Sequence, residues 1–245
     1  MPRKIICIAA CLWLLLIAPC GAEEKKEEWA DKSCDFTMIR TVAVRLAVDD
    51  GLNISEIERR KLNDLVDSRI IRSGDQRVKF IAASQLEESI GKTIGADLGL
   101  LRFENRDKYA AVMREYAPQF ADAVLTVAVK TLSTTQVYVP ESIRYYTTYE
   151  KRYISVPAYT HRGTVYYTTQ EIRVPVQRSE VQPAHYEYFG HAGAEFALAR
   201  SRDGKKIWLL LDMRDGQSKV PIEMTERIFK RAMDRFRAVA DNRLP

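Results

Sequence analysis

Residues 41–70 read TVAVRLAVDDGLNISEIERRKLNDLVDSRI, and this stretch decides the fold class. Val42, Val44, Leu46 and Val48 alternate with Ala43, Arg45 and Ala47, the period-2 pattern of a half-buried strand. Asp49-Asp50-Gly51 ends that strand as a turn; carboxylates at a strand end can also serve catalysis. Ser55 and Glu58 then have capping-box spacing, in which hydroxyl and carboxylate each satisfy a backbone N–H left over at a helix start. Ile57, Leu62, Leu65, Val66 and Ile70 mark one face of a helix that should stop near Gly74.

A second round follows downstream. Val78, Phe80 and Ala82 predict a short strand, Ser84 and Glu87 a second capping box, and Leu86, Ile90 and Ile94 the buried face of its helix. A further helix carrying Tyr109, Val112, Met113 and Tyr116 should end close to Pro118. Strand, helix, strand, helix is the rhythm of an α/β layer. From Asp122 the pattern turns to strands: Ala123 to Leu132 is long and apolar, and Phe196 to Arg200 and Ile207 to Leu211 flank Arg202-Asp203-Gly204, a hairpin signal. An amphipathic helix closes the chain, with Pro221 in its first turn and Ile228, Phe229, Ala232, Phe236 and Val239 on one face. Arg227, Lys230, Arg231 and Arg235 form its other face, which reads as a solvated surface or as one for an anionic membrane.

Upstream lies an export signal. Arg3 and Lys4 are a basic leader, Ile5 to Ala18 is unbroken and apolar, and Cys20-Gly21-Ala22 offers small residues for cleavage. Fourteen apolar residues fall short of the roughly 20 that a spanning helix needs. Residues 1–22 are therefore read as a signal peptide, 23–36 as a charged flexible lead-in beginning EEKKEE, and 37–245 as one α/β domain with a hairpin insertion at about 137–189. Removing Arg3 and Lys4 leaves 36 basic and 33 acidic residues, so the net charge falls from +5 to +3, too little to imply a strongly charged partner. Three of the four cysteines lie in the signal, and Cys34 alone remains, a small apolar filler or a reactive thiol. Cys20 raises lipidation as an alternative to cleavage, although Pro19 suits a lipid box poorly; membrane contact is expected only if Cys20 carries lipid.

Ten of the 12 tyrosines fall between Val137 and Phe189, where one octapeptide is written twice: YYTTYEKR at 145–152 and YYTTQEIR at 166–173. Thr160-His161-Arg162-Gly163 between them suits a four-residue hairpin loop. Pairing Tyr159 with Thr164 sets Glu150 against Arg173 and Arg152 against Glu171, two opposite-charge pairs that would choose the register. The opposite face would gather Tyr145, Tyr149, Tyr153, Tyr159, Tyr166, Ile172, Val174 and Val176. Such a face wants a partner: its own domain, a second subunit or a ligand. Lys151 and Gln170 on it weigh against a membrane-spanning hairpin. Six basic against five acidic residues give no phosphate track, so nucleic acid is not expected.

Motifs that carry chemistry are sparse in this chain. His185 and Glu187 share a strand face with His191 nearby, a weak metal-site candidate without HExxH or paired CxxC support. Gly91-Lys92-Thr93 lacks the earlier glycine of a phosphate loop, and no G-x-S-x-G elbow occurs. No motif implies a cofactor.

The order of elements carries a resemblance. Ala121-Asp122-Ala123-Val124-Leu125 opening a long strand, then Phe196 to Arg200, Asp203-Gly204-Lys205, Ile207-Trp208 and a final helix, resembles envelope domains related to the TolB amino-terminal domain and the curli secretion lipoprotein. It spans roughly residues 38–135 and 193–240 and rests on pattern, not on any catalytic motif. It implies a role in envelope assembly and protein contacts; no functional residue carries over, and the tyrosine-rich insertion and Pro19 depart from it. The sequence therefore predicts an exported, non-enzymatic bacterial envelope protein, in the periplasm or outside the cell, that binds an envelope partner or itself through the hairpin. The alternative is a periplasmic hydrolase or metal-dependent enzyme using His185 and Glu187.

Overall fold

The computed structural model describes residues 25–49, 51–74 and 77–241. The segment read as an export signal, Cys20 and Asp50 lie outside them. Two compact units are present, one formed by the chain up to Thr135 and from Tyr188 onward, the other by Gln136–Glu187.

The first unit is mixed α/β. Its sheet is built from β1 (Lys25–Ala30), β2 (Thr41–Val48), β3 (Lys79–Ala82), β4 (Ala123–Val139), β7 (His185–Arg200) and β8 (Lys206–Gln217), in the order β1-β8-β7-β4-β2-β3, the last residues of β4 and the first of β7 being counted in the second unit. β2 runs parallel to β3 and β4, whereas β8 is antiparallel to β1 and β7. The helices are α1 (Glu56–Arg69), α2 (Ala83–Ile94), α3 (Leu98–Glu104), α4 (Arg106–Phe120) and α5 (Pro221–Ala240).

Parallel strands need crossovers, and the crossovers put helices on both faces of the sheet. Val66 and Ile70 from the α1 segment and Ile228, Phe229 and Phe236 from α5 join Val42, Val44, Phe196 and Trp208 in the main core. Phe236 is its centre, edge-on to Phe80 and Trp208 with ring centroids 5.5 and 5.8 Å away. Leu86, Ile90, Leu98 and Ala117 of α2 to α4 cover Ala43 from the other side. β2 is therefore buried on both faces at Val42, Ala43 and Val44, where alternation alone predicted one buried face. Asp122 ties the parallel strands at their start, its Oδ2 accepting from the N–H groups of Arg40 and Thr41 at 2.8 Å each.

Local chemistry accounts for most element ends. The Ser55–Glu58 capping box is present, with Ser55 N–H donating to Glu58 at 2.8 Å and Glu58 N–H to Ser55 Oγ at 3.2 Å. The second box differs. α2 starts at Ala83, Gln85 reaches back to the Ala82 N–H at 3.3 Å, and Ser84 lies inside the first turn. α4 runs through Pro118 to Phe120, because a proline in the last turn forfeits a single intrahelical bond. The charged run read as a lead-in contains a strand instead: β1 pairs with β8, Glu28 accepting from Trp208 Nε1 at 3.2 Å and from Arg235 at 2.7 Å. Lysines and glutamates suit such an edge strand, since they discourage further pairing. The closing hairpin uses Ser201–Gly204 as its loop, with Gly204 at φ +67° and Arg200 N–H bonded to Lys205 O at 3.0 Å.

Candidate functional site

The second unit is dominated by a two-stranded antiparallel ribbon, β5 (Ser142–Tyr159) against β6 (Val165–Gln182). Its tip is set by Gly163. Thr160 N–H donates to Thr164 O and Gly163 N–H to Thr160 O, each at 2.9 Å, and Gly163 has φ +80°. This is a three-residue loop, a turn over His161 and Arg162 followed by a left-handed glycine. Tyr159 consequently faces Val165, one place away from the register expected of a four-residue loop.

That shift reassigns every pair. Glu150 lies opposite Val174 and Arg152 opposite Ile172, so the predicted pairs with Arg173 and Glu171 are not made. The ion pairs formed are Lys151–Glu171 at 2.9 Å and Arg178–Glu150 at 2.7 Å. It also divides the predicted aromatic face in two, because residues directly opposite share a face. Tyr145, Tyr149, Tyr153 and Tyr159 stand on one side with Tyr167, each about 70% exposed. Tyr166, Ile172, Val174 and Val176 stand on the other with Val156 and Thr148, and Ile172, Val174, Val176, Val156 and Thr148 are only half-exposed. One face is thus a tyrosine platform and the other an aliphatic seam. Each carries an ion pair near its middle, Lys151–Glu171 on the first and Glu150–Arg178 on the second. A bilayer-spanning strand pair needs an apolar outward band, which neither face supplies. No helix among the described residues is long and apolar enough to cross a membrane.

The ladder geometry also fixes which backbone groups are free. Thr160 and Thr164 are a hydrogen-bonded pair, so pairing alternates from there and the odd-numbered residues of both strands aim N–H and C=O away from the ribbon. Pro157 and Pro175 are both odd-numbered, which is where a strand tolerates a missing N–H. In the same unit the rings of Tyr138 and Tyr186 lie 5.3 Å apart.

The histidines do not converge on a metal. His185 Nε2 is 3.7 Å from Glu187, and its Nδ1 is 3.0 Å from Pro183 O. His191 sits in the first unit between Thr135 Oγ1, 2.8 Å from Nε2, and Asp215, 2.6 Å from Nδ1. His161 occupies the ribbon loop. Among the described residues no group of three or more His, Cys, Asp or Glu could hold a metal. Cys34 packs against the main core, where burial pushes its thiol pKa up and away from thiolate reactivity.

The basic face of α5 is partly committed. Arg231 reaches buried Asp212 at 3.6 Å and Arg235 pairs with Glu28 at 2.7 Å. Arg227 and Lys230 line an open cavity of about 570 Å³ beside α1, where Arg69 pairs with Glu226. Sequence reading missed this groove, since it depends on two helices meeting side by side through residues such as Arg69 and Glu226, 157 positions apart.

No family model and no curated protein matches this chain. Among solved structures it is similar to the PelC dodecamer from Paraburkholderia phytofirmans, at 12% identity and TM-score 0.36, over 87% of this chain and 97% of that one. It is also similar to lipoprotein GNA1162 from Neisseria meningitidis, at 13% identity and TM-score 0.38, over 81% of this chain and 98% of that one. Neither is a TolB-related domain by name, and likeness at this level says nothing about what this chain binds.

Proposed function

We propose that this is an exported, non-enzymatic protein of the bacterial envelope whose ribbon is a protein-contact surface, capturing an envelope partner or a second copy. The observation that carries the reading is the tyrosine platform: five side chains on one face of one hairpin, each about 70% exposed. Tyrosine offers a large, stiff contact area at low entropic cost, and its hydroxyl tolerates water until a partner arrives. A two-stranded ribbon is also marginal by itself in water and gains from further strands or a packed face. The export part of the reading rests on the basic leader, apolar run and small-residue site of residues 1–22.

Tyr149→Ser combined with Tyr153→Ser tests it. Both side chains are exposed, so the fold should survive while oligomerisation, or crosslinking to an envelope protein in living cells from a ribbon position, is lost. Association unchanged by the double substitution would overturn the reading. The hydrolase alternative keeps its own check: metal bound stoichiometrically to purified protein and released by His185→Ala would favour it.

A further inference from the structure

The two edges of the ribbon differ in how far they can pair without interruption. On β6 the outward-facing position 175 is proline, which puts a missing donor in the middle of that edge. On β5 every outward-facing residue from Ile143 to Ser155 has its N–H, with Pro140 and Pro157 beyond the two ends. The chain along this edge, Arg144-Tyr145-Tyr146-Thr147-Thr148-Tyr149-Glu150, is complementary to its own reverse.

We infer that the partner of this edge is the β5 edge of a second copy, paired antiparallel about a two-fold axis through Thr147 to give a four-stranded sheet. The inference rests on the proposed role of the ribbon as a contact surface and names its occupant. In this register Arg144 faces Glu150 of the second copy twice over, Tyr145 faces Tyr149 twice, and Thr147 faces itself. Odd residues meet odd residues, so the outward N–H and C=O groups meet each other and the tyrosine platforms of both copies lie on one side. Arg144 stands opposite Glu180 within the ribbon yet makes no ion pair among the described residues, which leaves it available. Glu150 holds Arg178 on its β6 side and presents its other side to the open edge. Centring the axis on Lys151 would also match Glu150 with Arg152 and Tyr149 with Tyr153. It would, however, set Lys151 against its own copy and draw Pro157 into the ladder, so Thr147 is the better centre.

The test uses purified mature protein carrying Arg144→Glu or Glu150→Arg, followed by sedimentation. Each single variant sets like charges opposite twice, and its self-association should weaken about tenfold. An equimolar mixture should regain wild-type association, because a copy with Glu at both places and one with Arg at both places complement each other only across a two-fold axis. In a Cys34→Ser background, Thr147→Cys should form a disulfide dimer on mild oxidation, since hydrogen-bonded partners lie about 5.5 Å apart at Cα, within disulfide reach. Thr169→Cys on the β6 edge should not. A monomeric wild type, equal crosslinking through Thr169→Cys, efficient crosslinking through Lys151→Cys, or no rescue on mixing would each overturn this pairing. If Tyr149→Ser with Tyr153→Ser still abolishes capture of another protein in cells, the contact role of the ribbon stands without the two-fold pairing; if it does not, both fall.

Discussion

Tyr159 stands opposite Val165 across the ribbon, with Thr160 and Thr164 closing the ladder one step further out. That offset decides which side chains share a face, and it depends on a left-handed residue at Gly163. A β-branched side chain there costs about 1–3 kcal/mol of local strain. Gly163→Val is expected to speed amide exchange along β5 and β6 while leaving exchange in the first unit unchanged. Hydrogen exchange read peptide by peptide checks this, and equal protection in both proteins would contradict the assigned loop.

Asp212 is fully buried, and Arg214 donates to both of its oxygens at 3.0 and 2.8 Å while Arg231 approaches at 3.6 Å. Removing the carboxylate would take away the buried acceptor of both Arg214 hydrogen bonds. Asp212→Ala should lower stability by about 2–4 kcal/mol, measured as a shift of the urea midpoint at constant slope.

Tyr109 donates to Glu87 at 2.6 Å, and its pKa is pushed up to about 12, first by burial and then by that carboxylate. The neutral phenol is thus the form the folded protein prefers. Its contribution is complete below the ordinary tyrosine pKa of about 10 and is lost as pH rises from there towards about 12. Tyr109→Phe should flatten the alkaline limb of the stability curve while costing about 1 kcal/mol at neutral pH. An alkaline limb identical to wild type would refute the assignment.

Asp31 is held well below the ordinary carboxylate range by Lys205, 2.6 Å away, and by the hydroxyl and N–H of Ser33 at 2.7 and 2.9 Å. Glu58 is lowered in the same direction by Ser55. A depressed carboxyl stabilises the fold above its unfolded pKa of about 4 and loses that contribution as pH falls below it. Asp31→Asn should reduce neutral stability and make acid unfolding less steep, followed by circular dichroism from pH 7 downward.

Much of the first unit was legible in the chain because its signals are local. Ser55 and Glu58 announce a helix start within four residues, Val42 to Val48 alternate, and Ile228 to Val239 recur at helical spacing whatever they pack on. The remaining features of that unit depend on partners distant in the chain. The Glu28 carboxylate looks solvent-bound until Trp208 and Arg235 arrive from the far end of the chain, and Ala43 looks half-exposed until α2 to α4 cover it.

The candidate site shows the same division within one hairpin. By itself the sequence determined that two repeated octapeptides lie on adjoining strands, that a glycine-containing turn joins them, and that the region is rich in tyrosine but balanced in charge. Only the tertiary structure decided that Gly163 adopts a positive φ and that the loop spans three residues. Because side chains alternate with a period of two, that one-residue difference moved Tyr166, Ile172 and Val174 away from Tyr145, Tyr149 and Tyr153, and it aimed the free backbone of β5 outward at the odd-numbered residues. Composition is carried by the chain, whereas facing is a parity, and parity is settled only when the turn closes.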